Sequence, residues 1–566
     1  MRMEIAHNRR ILRLDPTSHP AATRAATFAL FALLAVVHTW PLASAPGRLS
    51  RDDNADTLLN QWIISWVAHQ ASHDPLHLID ANIFYPERGT LAYSEYLIVP
   101  AAIGAPVRWA GGSPLVEYNV LVLAGLTLTG WAGCLLVSRW TGDPVAGIIG
   151  GVIIAFNAHT LTRLPQLQAL HIEFLPLSLL AFESLLAGQG SVVLLALCVI
   201  LQGLTSYYSL VLTVTALGAG WAVRLEDRRH ALVRPPRTLL RVAAAAALAL
   251  IVLVPALVPY VRLGRVRSLE EAALYSAAAR DYLATPARLH YGTWSARFFG
   301  GTTALFPGLT AIVLSGLAIF SGVAFRNPRA RMALAIGLAG IALSFGPSLP
   351  GGALLYRLFL PLQGIRNMAR FGYLATVAAG ILAGFGVAHL REQWSGRRSS
   401  HGQYSFARWV PVGIVAVFIS TNLDAFSAPI EYVDGERVSP IHARLRETSA
   451  IVAEFPFYPA DRLFRHAPYL LHSTAHWRPM ANGYSGLTPD SFIEHARDLA
   501  RFPDRRAIET LGAIGVTHVF VHDRAMREWT DNETANAVRT APGLKLLETD
   551  GDVTLYEVVK TADGSS

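Results

Sequence analysis

Three aspartates crowd the first polar loop of the chain, in the run Asp52-Asp53-Asn54-Ala55-Asp56-Thr57-Leu58-Leu59-Asn60-Gln61-Trp62 that follows the first long apolar segment. Carboxylates at this spacing are suited to taking the proton from a hydroxyl as it attacks an electrophilic carbon, the work of a general base. If Asp53 opens a helix, Asp53, Asp56 and Asn60 share one face at i, i+3 and i+7, while Leu59, Trp62, Ile63 and Trp66 share the other. Such a helix is expected to lie on a membrane surface with its acids facing a cavity. The competing reading is structural, with Asp53 as a helix cap and Asp56 offsetting the positive end of the helix dipole.

A second constellation is basic. Tyr356-Arg357 and then Gly364-Ile365-Arg366-Asn367-Met368-Ala369-Arg370-Phe371 precede a late apolar segment. The planar fork of arginine matches the oxygens of a phosphate or pyrophosphate, so Arg366 and Arg370 are expected to hold a lipid-linked phosphate. Headgroup contact, or an ion pair with Asp53 or Asp56, is the alternative duty. Asp52, Asn60, Glu95 and His171 are further candidates for substrate contact. Glu95 stands just before a short apolar run, and His171 lies in the polar stretch Asn157, His159, Arg163, Gln166, Gln168, His171 and Glu173, between two apolar segments. Charged and amide groups at membrane depth are costly unless they pair or line a wet cavity. His69, His73 and His77 recur every four residues, but Pro75 interrupts the helix that would align them as metal ligands. No metal-ligating residues are assigned.

These residues need elements to hold them, and composition decides which. The 566-residue chain is 52% apolar and only 16% charged, with repeated segments long enough to cross about 30 Å of hydrocarbon. A polytopic α-helical membrane protein with about eleven transmembrane helices is therefore expected. A basic, polar N-terminus runs into the first span at 25–45, read as retained rather than cleaved. Further spans are placed near 116–139, 144–158, 172–187, 191–206, 208–223, 241–261, 304–324, 331–346, 372–390 and 409–427. Threading from a cytoplasmic N-terminus puts the arginine clusters at 224–241, 326–331 and 391–408 on the cytoplasmic side, as the positive-inside rule asks. The loops at 46–115, 262–303 and 347–371 then face outward. The run 97–106, short and broken by proline, is expected to be re-entrant.

From about Pro429 the composition becomes that of a soluble domain. Strands are expected at Ile451–Phe455, His518–His522 and Val553–Val559, and helices at Ser491–Arg501 and Arg505–Ile514, giving a small extracytoplasmic α/β domain over 429–566 behind a membrane domain over 1–428.

Several classes fall away. The net charge of +8 does not indicate nucleic acid, because the arginines sit in short loops rather than along one polar face. Cys134 and Cys198 both lie inside apolar runs, so neither a disulfide framework nor a cysteine zinc site is indicated. There is no Walker loop and no dinucleotide-binding glycine turn. Gly483-Tyr484-Ser485-Gly486 is not a nucleophile elbow, because its second glycine comes one residue early.

The stretches Asn60-Gln61-Trp62-Ile63-Ile64-Ser65-Trp66, Asn82-Ile83-Phe84-Tyr85-Pro86, Ile365-Arg366-Asn367-Met368-Ala369-Arg370-Phe371 and His476-Trp477-Arg478-Pro479-Met480-Ala481-Asn482-Gly483-Tyr484-Ser485-Gly486 resemble bacterial multi-span proteins of the GT-C superfamily of integral-membrane glycosyltransferases, akin to the YfhO-like group. The resemblance spans nearly the whole chain. It implies a GT-C-like fold in the cytoplasmic (inner) membrane and transfer of a sugar from a polyprenyl-phosphate carrier to an envelope glycan, lipid or protein acceptor. The superfamily's first-loop acid maps onto Asp53 or Asp56. Many relatives carry a tight acidic pair, whereas here the acids are split, so the resemblance leaves the base unassigned between them and a divalent metal, Mg²⁺ or Mn²⁺, open. A non-catalytic envelope scaffold and a lipid or glycan transporter are the alternatives, although no internal repeat of the transporter kind is found.

Overall fold

The computed structural model describes residues 21–51, 55–224, 237–264, 267–300, 303–400 and 410–559. Asp52 and Asp53 therefore lie outside the described residues. The chain divides into two compact units, one of residues 1–44 and 121–430 and the other of residues 45–120 and 431–566.

The first unit is built from apolar helices. Ala21–His38, Pro144–Ala155, Phe174–Leu186, Val192–Thr205, Tyr207–Ala222, Arg237–Arg262, Leu309–Phe320, Pro328–Ser344, Gly372–Ser400 and Val410–Leu423 are helical, as is most of Pro114–Thr141 within this unit. Each apolar segment anticipated from sequence thus contains a helix. Five stretches are long and apolar enough to cross a membrane, namely Ala21–His38, Pro114–Thr141, Leu167–Leu186, Arg237–Arg262 and Met368–Trp394. The protein is a multi-pass membrane protein. Arg237–Arg262 buries only Ala245, Ala249 and Leu253 and leaves Leu250, Ile251 and Val254 exposed, the surface expected of a helix facing lipid.

Local sequence explains where several of these helices begin. Asp143 and Asn327 each precede a proline that occupies the first helical position, and each side chain accepts from two backbone N–H groups of the first turn. Asp143 also pairs with Arg391, and Arg329 Nε donates to Glu183 Oε1 at 3.0 Å. The helix Gly372–Ser400 packs on Pro144–Ala155 through glycine. A Cβ at Gly380 would lie 2.9 Å from Gly150 O, and a Cβ at Gly150 would lie 2.9 Å from Gly380 O. Only small residues let two helix backbones approach this closely, which is how membrane helices gain packing without a hydrophobic driving force between them.

The second unit carries the sheets. β1 (Leu49–Ser50) pairs antiparallel with β2 (Val433–Asp434). β3 (Val452–Phe455) runs parallel to β4 (His518–His522), β6 (Val553–Val558) runs antiparallel to β4, and β5 (Leu544–Asp550) closes the edge, giving the order β3-β4-β6-β5. Amphipathic helices occupy Asp490–Leu499 and Arg505–Ile514, where the sequence pattern placed them. The short run expected to be re-entrant forms the helix Ile98–Trp109, whose 12 residues span about 18 Å, too short to cross about 30 Å of hydrocarbon.

One expectation is corrected in this unit. The first-loop helix begins at Asp56 and runs to His73, and every residue from Thr57 to Val67 is buried. It is an internal element of its unit rather than a half-buried helix on a membrane surface. Residues from the resembling stretches explain this burial. Trp62 Nε1 donates to Asn82 Oδ1 at 3.3 Å, and Asn82 Nδ2 donates to Arg478 O at 3.2 Å. Phe84 N donates to Asn482 O and Met480 N to Asn82 O, so the segments around 82–85 and 480–482 run together. Gly483 is where Phe84 packs, since a Cβ there would come within 2.4 Å of the ring.

Candidate functional site

Asp56 is the described member of the acidic loop. Ala55 before it takes a left-handed conformation (φ 65°), which turns the chain into the helix and sets Asp56 in the first turn, at the positive end of the helix dipole. The side chain is half-buried, and Tyr484 Oη donates to Asp56 Oδ1 at 3.1 Å. Asn60 is buried and its amide donates to Asp56 O at 2.7 Å, so it braces the first turn of the helix. Glu95 is buried one residue from Tyr96, whose phenol is pushed up by burial and then by the Glu95 charge.

The basic constellation belongs to the first unit, where aromatic and amide side chains hold it. Tyr208 Oη accepts from Arg366 N at 3.0 Å and from Asn367 N at 3.4 Å, which fixes the turn that carries both arginines. The Arg370 guanidinium lies over the Tyr208 ring, 4.3 Å from its centroid, and the Arg366 guanidinium lies over Tyr275 at 5.0 Å. Arg370 Nη2 donates to Gln166 Oε1 at 3.1 Å, and Arg163 Nη1 donates to the same oxygen at 3.2 Å. Two guanidinium groups thus share one neutral acceptor. Neither Arg366 nor Arg370 forms an ion pair with a described residue, and Arg370 Nε is buried without a hydrogen-bond partner among the described residues. His159 lies within electrostatic reach of Arg163 and Arg370, fully enclosed, with neither ring nitrogen hydrogen-bonded to a described residue. Positive charge and a buried donor without a partner among the described residues are thus collected at one place in this unit.

His171 is placed differently from the expectation of substrate contact. It is fully buried, with Nδ1 3.1 Å from Glu173 Oε1 and Nε2 3.0 Å from Leu121 O. Gln202 Nε2 donates to its backbone carbonyl at 3.1 Å. Both ring nitrogens are thus spent inside the fold, and His171 ties three helical segments together. Asn157 likewise caps the turn Ala158–Leu161 by accepting from Thr160 N.

The His69 and His73 rings stack with centroids 4.1 Å apart, but the three histidines do not gather as metal ligands among the described residues. His69 stacks on Trp477 with centroids 4.3 Å apart, His73 Nδ1 donates to His69 O, and His77 pairs with Asp74 beyond the helix end. Among the described residues, the one group of three or more imidazoles and carboxylates able to hold a metal is His442, Glu454, His472 and His522, and Asp56 is not part of it. The group carries strong fields. Burial alone would raise the Glu454 carboxyl, but the His472 charge and the hydrogen bonds from His472 and His522 hold it well below the usual range. Burial would lower His472, but Glu454 and Glu436 push it up to about 9. The sequence hint was an acid in the middle of the apolar strand Val452-Ala453-Glu454-Phe455. Tyr208 and Tyr275 carry no such hint, the former because it reads as part of an apolar span.

No protein-family model matches the chain, and no curated protein matches it. Solved structures do. The mycobacterial arabinofuranosyltransferase AftD aligns over 97% of this chain and 40% of its own, at 16% identity and a TM-score of 0.60. ArnT from Cupriavidus metallidurans bound to undecaprenyl phosphate aligns over 97% of this chain and 100% of its own, at 14% identity and a TM-score of 0.49. The oligosaccharyltransferase AglB from Archaeoglobus fulgidus, in complex with an inhibitory peptide and a dolichol-phosphate, aligns over 95% of this chain and 74% of its own, at 13% identity and a TM-score of 0.46. The chain spans less than half the length of AftD and shares its fold.

Proposed function

We propose that the chain is a membrane glycosyltransferase that takes a sugar from a polyprenyl-phosphate-linked donor and passes it to an envelope glycan, lipid or protein acceptor at the outer face of the cytoplasmic membrane. The observation that carries this reading is the pair Arg366 and Arg370, held in place by Tyr208, Tyr275 and Gln166 with no acidic partner among the described residues. Both arginines are half-buried and Arg370 Nε is enclosed without a partner among the described residues, so an anion would complete them. A lipid-linked phosphate supplies such an anion. The fold shared with an arabinofuranosyltransferase agrees with this chemistry, although a fold alone does not assign one.

The reaction needs one bond made and one broken. The acceptor oxygen bonds to the anomeric carbon as the bond from that carbon to the phosphate oxygen breaks. A first-loop carboxylate, Asp56 or Asp53, takes the acceptor proton. The polyprenyl phosphate departs with its negative charge held by Arg366 and Arg370, whose attraction is stronger in a poorly hydrated setting. The arginine distribution supports an N-terminus in the cytoplasm and a C-terminal region outside it. The test is the glycan and glycolipid composition of a deletion strain complemented with the parent or with Asp56→Asn. The reading expects the same missing or shortened glycan in the deletion and in the Asp56→Asn strain. An unaltered envelope in the deletion strain would count against it.

A further inference from the structure

Glu454 sits in the middle of β3 and is fully buried, and three histidines from three other segments converge on it. His472, at the end of the helix Ala467–His472, brings Nδ1 to 2.8 Å from Glu454 Oε2. His522, the last residue of β4, brings Nε2 to 2.7 Å from the same oxygen. His442, in the turn Pro440–Leu445, brings Nε2 to 3.7 Å from it.

Hydrogen bonding alone leaves this cluster incomplete. His442 Nδ1 lies 3.0 Å from Ser439 O, and a carbonyl can only accept, so Nδ1 carries the proton. In the neutral ring, Nε2 therefore turns a lone pair toward a carboxylate oxygen. Among the described residues His442 Nε2 has no hydrogen-bond partner, and neither has Glu454 Oε1. Both residues are fully buried. Orphaned buried groups of this kind each cost about 1–3 kcal/mol. A cation at the meeting point of the four ligand atoms would take up the His442 Nε2 lone pair.

We propose that His442, Glu454, His472 and His522 form a structural zinc site in the second unit. One ligand atom from each residue lies within 4.8 Å of the others. Tetrahedral zinc with bonds of about 2.0–2.1 Å sets its ligand atoms about 3.4 Å apart. The separations of 2.7, 2.8 and 3.7 Å about Glu454 Oε2 bracket that distance. Three imidazoles and one carboxylate, without a thiol, suit zinc better than the all-oxygen shells of Mg²⁺ or Ca²⁺. The outer groups also suit a metal. Glu436 Oε1 lies 3.4 Å from His472 Nε2, and Ser439 O takes the proton of His442 Nδ1, so each of these rings is fixed with its other nitrogen inward. Four protein ligands and full burial leave no open position, the mark of a site that stabilises rather than reacts. It would fasten the turn 440–445 and the helix 467–472 onto the sheet.

The test uses the full chain, purified in detergent through a tag without histidine and analysed for metal by mass spectrometry. About one zinc per chain is expected. Stripping zinc with a chelator should lower the thermal midpoint of the second unit, and adding zinc back should restore it. Cobalt added to the stripped protein should give the intense visible bands of tetrahedral Co²⁺. His442→Ala should lose the metal while His495→Ala keeps it. Because His442→Ala can fail to fold, the parent protein decides the matter. A metal-free parent that binds neither zinc nor cobalt and melts identically with and without zinc overturns the site, as does a folded His442→Ala that retains full zinc. In either case the cluster is a hydrogen-bonded ion pair between His472 and Glu454.

Discussion

Removing the Arg370 guanidinium perturbs the proposed anion receptor while leaving its scaffold standing. In Arg370→Ala, Gln166 Oε1 keeps its bond from Arg163, and Tyr208 Oη keeps the backbone N–H groups of Arg366 and Asn367. The stack on Tyr208 is lost, at about 0.5–1 kcal/mol, but it is lost from the free and the loaded protein alike and so drops out of the binding difference. What remains is one charge-assisted contact to phosphate, worth about 1.5–3 kcal/mol. At 1.4 kcal/mol per decade this is about a ten- to hundredfold loss of affinity. Arg370→Lys keeps the charge without the two-pronged geometry and should fall between the parent and Arg370→Ala. Arg366→Ala should lose a similar amount. If both arginines grip one phosphate, the double variant should lose less than the sum of the two. The assay is titration of the detergent-solubilised protein with a polyprenyl monophosphate, followed by calorimetry, with thermal unfolding as the control for folding. If Arg366→Ala and Arg370→Ala both bind the lipid as tightly as the parent, the clamp is wrong, and headgroup contact becomes the better account of the two arginines.

Tyr484→Phe should leave the helix Asp56–His73 in place and lower transfer by about tenfold, because it removes one hydrogen bond to Asp56 Oδ1. Unchanged turnover would show that this bond does not orient the base. A reporter fused after residue 566 should be active only when it requires export, and activity of a cytoplasm-only reporter would invert the topology. Acid should weaken the second unit through His466, whose ring is fully buried, with Nε2 2.9 Å from Tyr458 O and Nδ1 3.0 Å from the Asn482 amide. Burial lowers it to about 4, against the weaker raising effects of Tyr458 and Glu454. Between pH 6.5 and 4 the unfolded chain takes up a proton that the folded one refuses, so stability falls as pH falls through that window, by on the order of 3 kcal/mol in all. In His466→Gln that part of the slope in urea midpoints should vanish, and an unchanged slope would contradict the assignment.

The apolar helices were legible because runs of this length and composition need only be counted, and β3, β4 and β6 because their alternating or continuous apolar residues are buried. β5 escaped. Its residues Leu544 to Asp550 are mostly exposed at the sheet edge and carry no apolar pattern. The helix Asp56–His73 is legible as a helix, but its surroundings are not. Its polar residues Asn60, Gln61 and Ser65 are buried by neighbours distant in sequence, so periodicity could not reveal that both faces are covered. The two arginines were legible from type and position. Their supports were not, since Tyr208, Tyr275 and Gln166 come from three separate segments. The same is true of the histidines around Glu454, which have no shared spacing, so only the acid within an apolar strand marked the place.

The central claim is that the chain transfers a sugar from a polyprenyl phosphate. Its most direct test is the purified protein in proteoliposomes, given a panel of polyprenyl-phosphate-linked sugars with a membrane extract as acceptor source, with release of free polyprenyl phosphate as the readout. The parent should release it from at least one donor in an acceptor-dependent manner. A positioned general base is worth about two to four decades, so Asp56→Asn or Asp53→Asn should fall by that much. Full activity in the double variant Asp53→Asn/Asp56→Asn would contradict the assigned base, and no release from any donor by a folded, lipid-binding parent would contradict the enzyme.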